Sequence, residues 1–210
     1  MHEALETPFP ISVLILAGGY SRRMGEDKAL LPFGDQTALE RLLSVACAIS
    51  DDVLVIRRPD QPVLPAVSTC RIVHDLRPGQ GPLAGIEAGL HAARHLWCLV
   101  LPVDAPGVTR EFVNALLSVV PVAQAAGELA VITTEGVRTH PLHAVYHKTV
   151  EGIIGKLLIN NRRKVLELLA EIPWRACPQG QWARTDQQGL AVHPCNTPEE
   201  AQGLRERLHG

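Results

Sequence analysis

Two kinds of hydrophobic pattern alternate along the chain. Residues 11–17 (ISVLILA), 52–56 (DVLVI), 71–74 (RIVH), 97–103 (WCLVLPV) and 129–134 (LAVITT) are short and rich in Val, Ile and Leu, the pattern of strands covered on both faces. Between them, residues 38–49, 83–95 and 110–120 repeat their apolar positions at helical spacing. This alternation predicts an α/β protein in which helices wrap a mostly parallel sheet. Further along, residues 142–147 (LHAVYH) suggest another strand, and 149–160 and 164–171 read as helices. A last helix is expected over 197–209, with Thr197 as N-cap and Pro198 in its first turn. No Gly/Ser tract, charge block or repeat divides these pieces, so residues 1–210 read as one domain with a short tail over 1–10.

In such sheets ligands collect at the carboxyl ends of the strands, near a topological switch point. Three strand ends carry suitable chemistry. The first strand runs into Leu16, Ala17, Gly18 and Gly19, followed by Arg22, Arg23, Gly25 and Lys28. Glycines after a buried strand let backbone amides approach an anion, and the cations suit a polyphosphate. Glu26 and Asp27 stand before Lys28, so this is no P-loop, and no G-x-G-x-x-G is present. A solvated turn with incidental charges is the competing reading. The strand over 97–103 ends at Asp104, a hard oxygen donor of the kind Mg²⁺ takes beside phosphates, or simply a turn residue before Pro106. Between the two, Asp75 and the glycines 79, 81 and 85 mark another strand exit into a helix, where Asp75 serves a base edge, a ribose or a second contact to a metal-bound substrate, or else simply caps or turns the chain.

Composition narrows the classes. A formal net charge of −2 over 210 residues gives no electrostatic footprint for nucleic acid. The five cysteines are widely spaced without a C-x-x-C pair, which speaks against structural zinc and for a reducing compartment. Residues 1–10 lack the basic start of a secretion signal, and 11–17 is too short to span a bilayer. A cytoplasmic protein without membrane partners is expected.

With these residues in place, the chain resembles the molybdenum cofactor guanylyltransferases, which belong to the nucleotidyltransferases of Rossmann-like, three-layer fold. The resemblance is carried by Leu16-Ala17-Gly18-Gly19 with Ser21-Arg22-Arg23-Met24-Gly25 and Asp27-Lys28, by Gly81-Pro82-Leu83-Ala84-Gly85-Ile86, by Asp104 with Pro106, by Arg138-Thr139-His140-Pro141, and by Asn196-Thr197-Pro198-Glu199. It implies GTP and Mo-molybdopterin as substrates, Mg²⁺ as the metal, and a guanine dinucleotide cofactor and pyrophosphate as products. By position it implies that Leu16, Ala17, Gly18 and Gly19 cradle the nucleotide with Gly81, that Arg23 and Lys28 hold phosphates, that Asp75 contacts the nucleotide and that Asp104 binds the metal. Arg138, His140, His143, Arg162 and Arg163 fall where such proteins receive the pterin, and molybdenum enzymes or cofactor-insertion proteins are the implied partners. The chain departs from the family at Val103, often Cys, at Arg57-Arg58, where a small polar residue is usual, and at Pro194, commonly Asn. A cytidylyltransferase for the same pterin, another small-molecule nucleotidyltransferase and a non-catalytic nucleotide-binding relative are the alternatives.

Overall fold

The computed structural model describes residues 9–19, 27–62, 64, 69–183, 190–195 and 198–209. In chain order these form β1 (Ile11–Leu16), the hairpin strands β2 (Pro32–Phe33) and β3 (Gln36–Thr37), α1 (Ala38–Cys47), β4 (Asp52–Arg57), β5 (Arg71–His74), α2 (Pro82–Ala92), β6 (Trp97–Pro102), α3 (Arg110–Leu117) and α4 (Val120–Ala125). β7 (Ala130–Glu135), β8 (Arg138–His147), α5 (Glu151–Ile159), α6 (Val165–Leu169), β9 (Trp174–Pro178), α7 (Gln179–Trp182) and α8 (Pro198–His209) follow.

Among the described residues seven strands share one sheet in the order β5-β4-β1-β6-β8-β7-β9. Every neighbouring pair is parallel except the two that β8 makes with β6 and β7. The chain moves outward from β1 to β4 and β5, then crosses back to place β6 on the other side of β1. The switch point therefore lies between the carboxyl ends of β1 and β6.

Strand alternation sorts the core into two layers. Ile11, Val13 and Ile15 of β1 join Val53 and Val55 of β4 and Leu99 and Leu101 of β6 under α1 and α3. Leu14, Leu54, Ile56, Cys98 and Val100 face the opposite way, under α2, α5 and α6. The period of two in each strand thus builds a three-layer α/β sandwich. Buried thiols belong to this packing, and desolvation pushes Cys98 up to about 12 and Cys177 up to about 11.

Helix α2 approaches the sheet closely because a glycine faces it. A Cβ on Gly89 would stand 2.8 Å from Leu14 Cδ1 and 3.3 Å from Ile56 Cδ1. Gly89→Val is expected to destabilise the protein by about 1–3 kcal/mol through overpacking. A urea unfolding curve with a lowered midpoint and an unchanged slope is the check.

Several boundaries differ from the expectations. The helix expected over 110–120 breaks after Leu117, and Pro121 opens the short α4 instead, because proline fits a first turn and not a helix interior. The strand expected at 142–147 begins earlier, at Arg138. Its register shifts opposite Ile132 and Thr133, so that His140 and Ala144 face successive residues of β7. Pro141 lies within that irregularity and has no N–H for a ladder. The side chains repair the gap, Thr133 Oγ1 donating to His143 O at 2.6 Å and Tyr146 Oη to Pro141 O at 2.7 Å. Thr197 lies outside the described residues.

At the amino end of the sheet the buried Asp52 accepts from Ser12 Oγ at 2.6 Å, from the Arg94 amide at 2.8 Å and from Arg71. Burial pushes its pKa up, yet these hydrogen bonds outweigh it and hold the carboxyl below its ordinary value. The network ties β1, β4, β5 and the end of α2 together opposite the switch point.

Candidate active site

At the switch point the carboxyl ends of β1, β4 and β6 and the start of α2 enclose a cavity of about 660 Å³. That volume suits a ligand of nucleotide size. The floor is backbone. Leu16, Ala17, Gly18 and Gly19 leave β1 there, and Ala17 N still donates to Ile56 O at 2.8 Å, continuing the ladder one step past the strand. Gly81 forms the opposite wall with φ +81°, a left-handed conformation that starts α2 immediately before Pro82. Gly85 lies one turn later on the same wall.

Two charges meet in the cavity. Lys28 Nζ lies 2.9 Å from Asp104 Oδ2, with the side chains 17% and 24% exposed, so both remain within reach of a ligand. The sequence separates them by 76 positions, and only the pairing of β1 with β6 unites them. Asp104 is also held through its backbone, whose carbonyl accepts from Cys195 N at 2.7 Å. Val103, the residue before it, is buried and packs against the α1 and α3 layer.

Asp75 lines the cavity too. One of its oxygens accepts from the Arg77 amide at 2.8 Å, and its own amide donates to Arg57 O at 2.8 Å. It is therefore a turn aspartate that also lines the cavity. Leu16, Ala17, Gly18, Gly19, Lys28, Asp75, Gly81 and Asp104 are thus brought to one cavity, whereas Arg23 lies outside the described residues.

The candidate pterin-side residues are arranged differently. His140 and His143 are buried, and their rings meet edge to face at 6.1 Å beneath the cavity-lining neighbour Leu142. Burial lowers both pKa values, His143 to about 3; at His140 the Arg138 charge adds to the lowering while Glu135 opposes it, and at His143 the neighbouring His140 adds to it. Arg162, in the connection between α5 and α6, turns to Glu167 of α6 and to Glu171 just beyond it. Arg163 approaches the site only through its backbone, its carbonyl lying 3.8 Å from a Cβ built on Gly81. Arg138, His140, His143, Arg162 and Arg163 do not line the cavity.

Three contributors were not read as site residues from the sequence. Arg57, Arg58 and Gln61, at and beyond the end of β4, bind the backbone and side chains of the glycine loop. Arginines at a strand exit carry no signal of this role, because their targets are carbonyls and a carboxylate 30 to 44 positions earlier.

Comparison with known proteins agrees with this architecture. A protein of Bacillus cereus named probable molybdenum cofactor guanylyltransferase is 35% identical over 163 residues, covering 75% of this chain and 78% of its own. A molybdenum cofactor guanylyltransferase of Pseudomonas putida is 32% identical over 196 residues, covering 92% and 96%. The crystal structure of molybdopterin-guanine dinucleotide biosynthesis protein A from Archaeoglobus fulgidus superposes with a TM-score of 0.79 at 22% identity, covering 94% and 98%. A 2-C-methyl-D-erythritol 4-phosphate cytidylyltransferase from Thermus thermophilus shares the fold at a TM-score of 0.69 and 18% identity, covering 96% and 100%. The MobA-like NTP transferase domain matches residues 13–173, a span that contains the glycine loop, Lys28, Asp75, Gly81 and Asp104, and the chain belongs to that family.

Proposed function

We propose that this protein is a guanylyltransferase that moves GMP from GTP to the phosphate of Mo-molybdopterin, forming the guanine dinucleotide cofactor and pyrophosphate in the cytoplasm. The observation that carries this reading is the Lys28–Asp104 pair set 2.9 Å apart above a backbone floor at the switch point. The relatives from Bacillus cereus and Pseudomonas putida support the choice of base and acceptor.

In the reaction a phosphate oxygen of the pterin attacks the α-phosphorus of GTP. The bond from that phosphorus to the oxygen bridging toward the β-phosphorus breaks, and its electron pair leaves with pyrophosphate. No side-chain nucleophile is required; the protein positions the groups and offsets their charge. The backbone of residues 16–19 and the start of α2 hold the nucleotide, and Lys28 turns from Asp104 to the phosphates. Arg23 is proposed by its motif position to share that role.

The donor set fits Mg²⁺, which takes one or two carboxylates together with substrate phosphates. Asp104 would hold it, with Asp75 at the rim. Among the described residues no cluster of three or more His, Cys, Asp or Glu offers an all-protein cage. When bound, the ion supplies charge neutralisation at the phosphates. Among the described residues no helix is long and apolar enough to cross a membrane.

Incubation of purified protein with molybdenum-loaded pterin, Mg²⁺ and equal GTP and CTP is the test. Mass spectrometry is expected to find the guanine dinucleotide in clear excess over the cytosine product. A dominant cytosine product would reassign the base, and absence of both would reject the transferase reading.

A further inference from the structure

At the end of β4 two adjacent guanidinium groups reach two separate segments, residues 18–19 and Asp27. Arg58 Nη1 donates to Gly18 O at 2.8 Å and to Gly19 O at 2.9 Å, and Gln61 Nε2 donates to Ala17 O at 2.9 Å. Arg58 is itself braced, its amide bonded to Gln61 Oε1 and its Nε to Asp60 Oδ1, each at 2.9 Å. Arg57 reaches the other segment, where Nη2 donates to Asp27 Oδ2 at 2.6 Å. Asp27 in turn caps the following helical turn by accepting from Ala29 N at 3.1 Å, and its neighbour Lys28 is the cation paired with Asp104.

Arg57 is only 3% exposed, and its Nε is buried with no hydrogen-bond partner among the described residues. A buried guanidinium with an unsatisfied donor is costly, and an apolar residue would pack at lower cost. Its retention at a cavity wall calls for a role in geometry. The carbonyls of residues 17–19 supply the other half of the argument. All three oxygens are drawn to Arg58 and Gln61, so they are not available to repel an anion.

We propose that Arg57 and Arg58 are positioning residues that hold the backbone of residues 17–19 and the Asp27–Lys28 segment in place, presenting that backbone and the Lys28 ammonium to one polyphosphate. This rests on the nucleotidyl-transfer reading above. Backbone and side chains already held in their binding geometry avoid an ordering cost at each encounter. Loss of this positioning therefore weakens nucleotide binding more than it slows the bound complex.

The test uses Arg58→Met, Arg57→Met, Asp27→Asn and the double variant Asp27→Asn/Arg57→Met. In nucleotide-free protein, amide hydrogen exchange is expected to accelerate over residues 17–19 in Arg58→Met and over 27–30 in Arg57→Met and Asp27→Asn, with β6 protection retained. With Mg²⁺ present, the Kd for GTP is expected to rise about 10- to 100-fold, as for slightly misplaced binding groups, while kcat at saturation stays within a small factor. The double variant should bind no more weakly than Arg57→Met, since both changes break one bridge. Unchanged exchange in both segments would overturn the positioning role, and so would a loss of kcat at constant KM or additive effects in the double variant. If the unsubstituted protein takes up no GTP, the functional reading falls, and the exchange rates alone still decide the positioning role.

Discussion

Asp104→Ala is expected to slow magnesium-dependent pyrophosphate release by about 10²- to 10³-fold, the range seen when one group stabilising transition-state charge is removed. The unfolding midpoint should move little. The carboxylate is 24% exposed and its ion-pair partner Lys28 is 17% exposed, so neither becomes a sealed, uncompensated charge when the other goes. The link that matters to the fold is made by the Asp104 carbonyl to Cys195 N, and substitution leaves it in place. Asp104→Asn, which keeps the shape and removes the charge, should be slow as well. A rate within a few fold of the parent in either variant would remove Asp104 from the metal and phosphate chemistry.

The second large effect is a loss of stability in acid that depends on His143. Its ring is fully enclosed, stacked edge to face on Phe112 and His140, and its Nε2 has no hydrogen-bond partner among the described residues. Burial, with His140 adding to it, lowers the pKa to about 3. In the unfolded chain the ring takes up a proton near the ordinary histidine value of about 6.5. Between these two values the unfolded state binds the extra proton, so stability falls as pH falls, at about 1.4 kcal/mol per pH unit for one group. Above about pH 7 the contribution is constant. Urea unfolding at a series of pH values should show this slope from about pH 6 downward, and His143→Asn should flatten it by about one proton relative to the parent. An identical slope in both proteins would place the buried proton uptake elsewhere.

His143 also shows where sequence reading reaches its limit. Its neighbourhood was assigned to the pterin side by motif position, yet the ring is packed among Phe112 and His140 while Leu142 faces the cavity. Alternation along β8, shifted by the irregularity at Pro141, decides which face each residue takes. Similarly, the charge of Arg162 is paired with Glu167 and Glu171, five and nine positions away. Local pairs of this kind are common on helix surfaces and leave no trace that separates them from ligand-binding arginines. Strand β9 and the short α4 and α7 also escaped, being brief segments whose pattern fits several states.

The Arg57-Arg58 pair illustrates the complementary case. In sequence it is a departure from the family where a small polar residue is usual. In the fold it engages Gly18, Gly19 and Asp27.

What the amino-acid sequence determined by itself was the periodicity of the elements, the parallel α/β architecture and the backbone-rich strand exits at Gly18 and Gly81, because these follow from local pattern and from residues that permit unusual backbone. The tertiary structure decided which of the charged residues share a cavity. Lys28 meets Asp104, and Arg57 meets Asp27, only once β4, β1 and β6 lie side by side. Strand order sets those meetings, and electrostatic pairing depends on distance in space, which no spacing along the chain encodes.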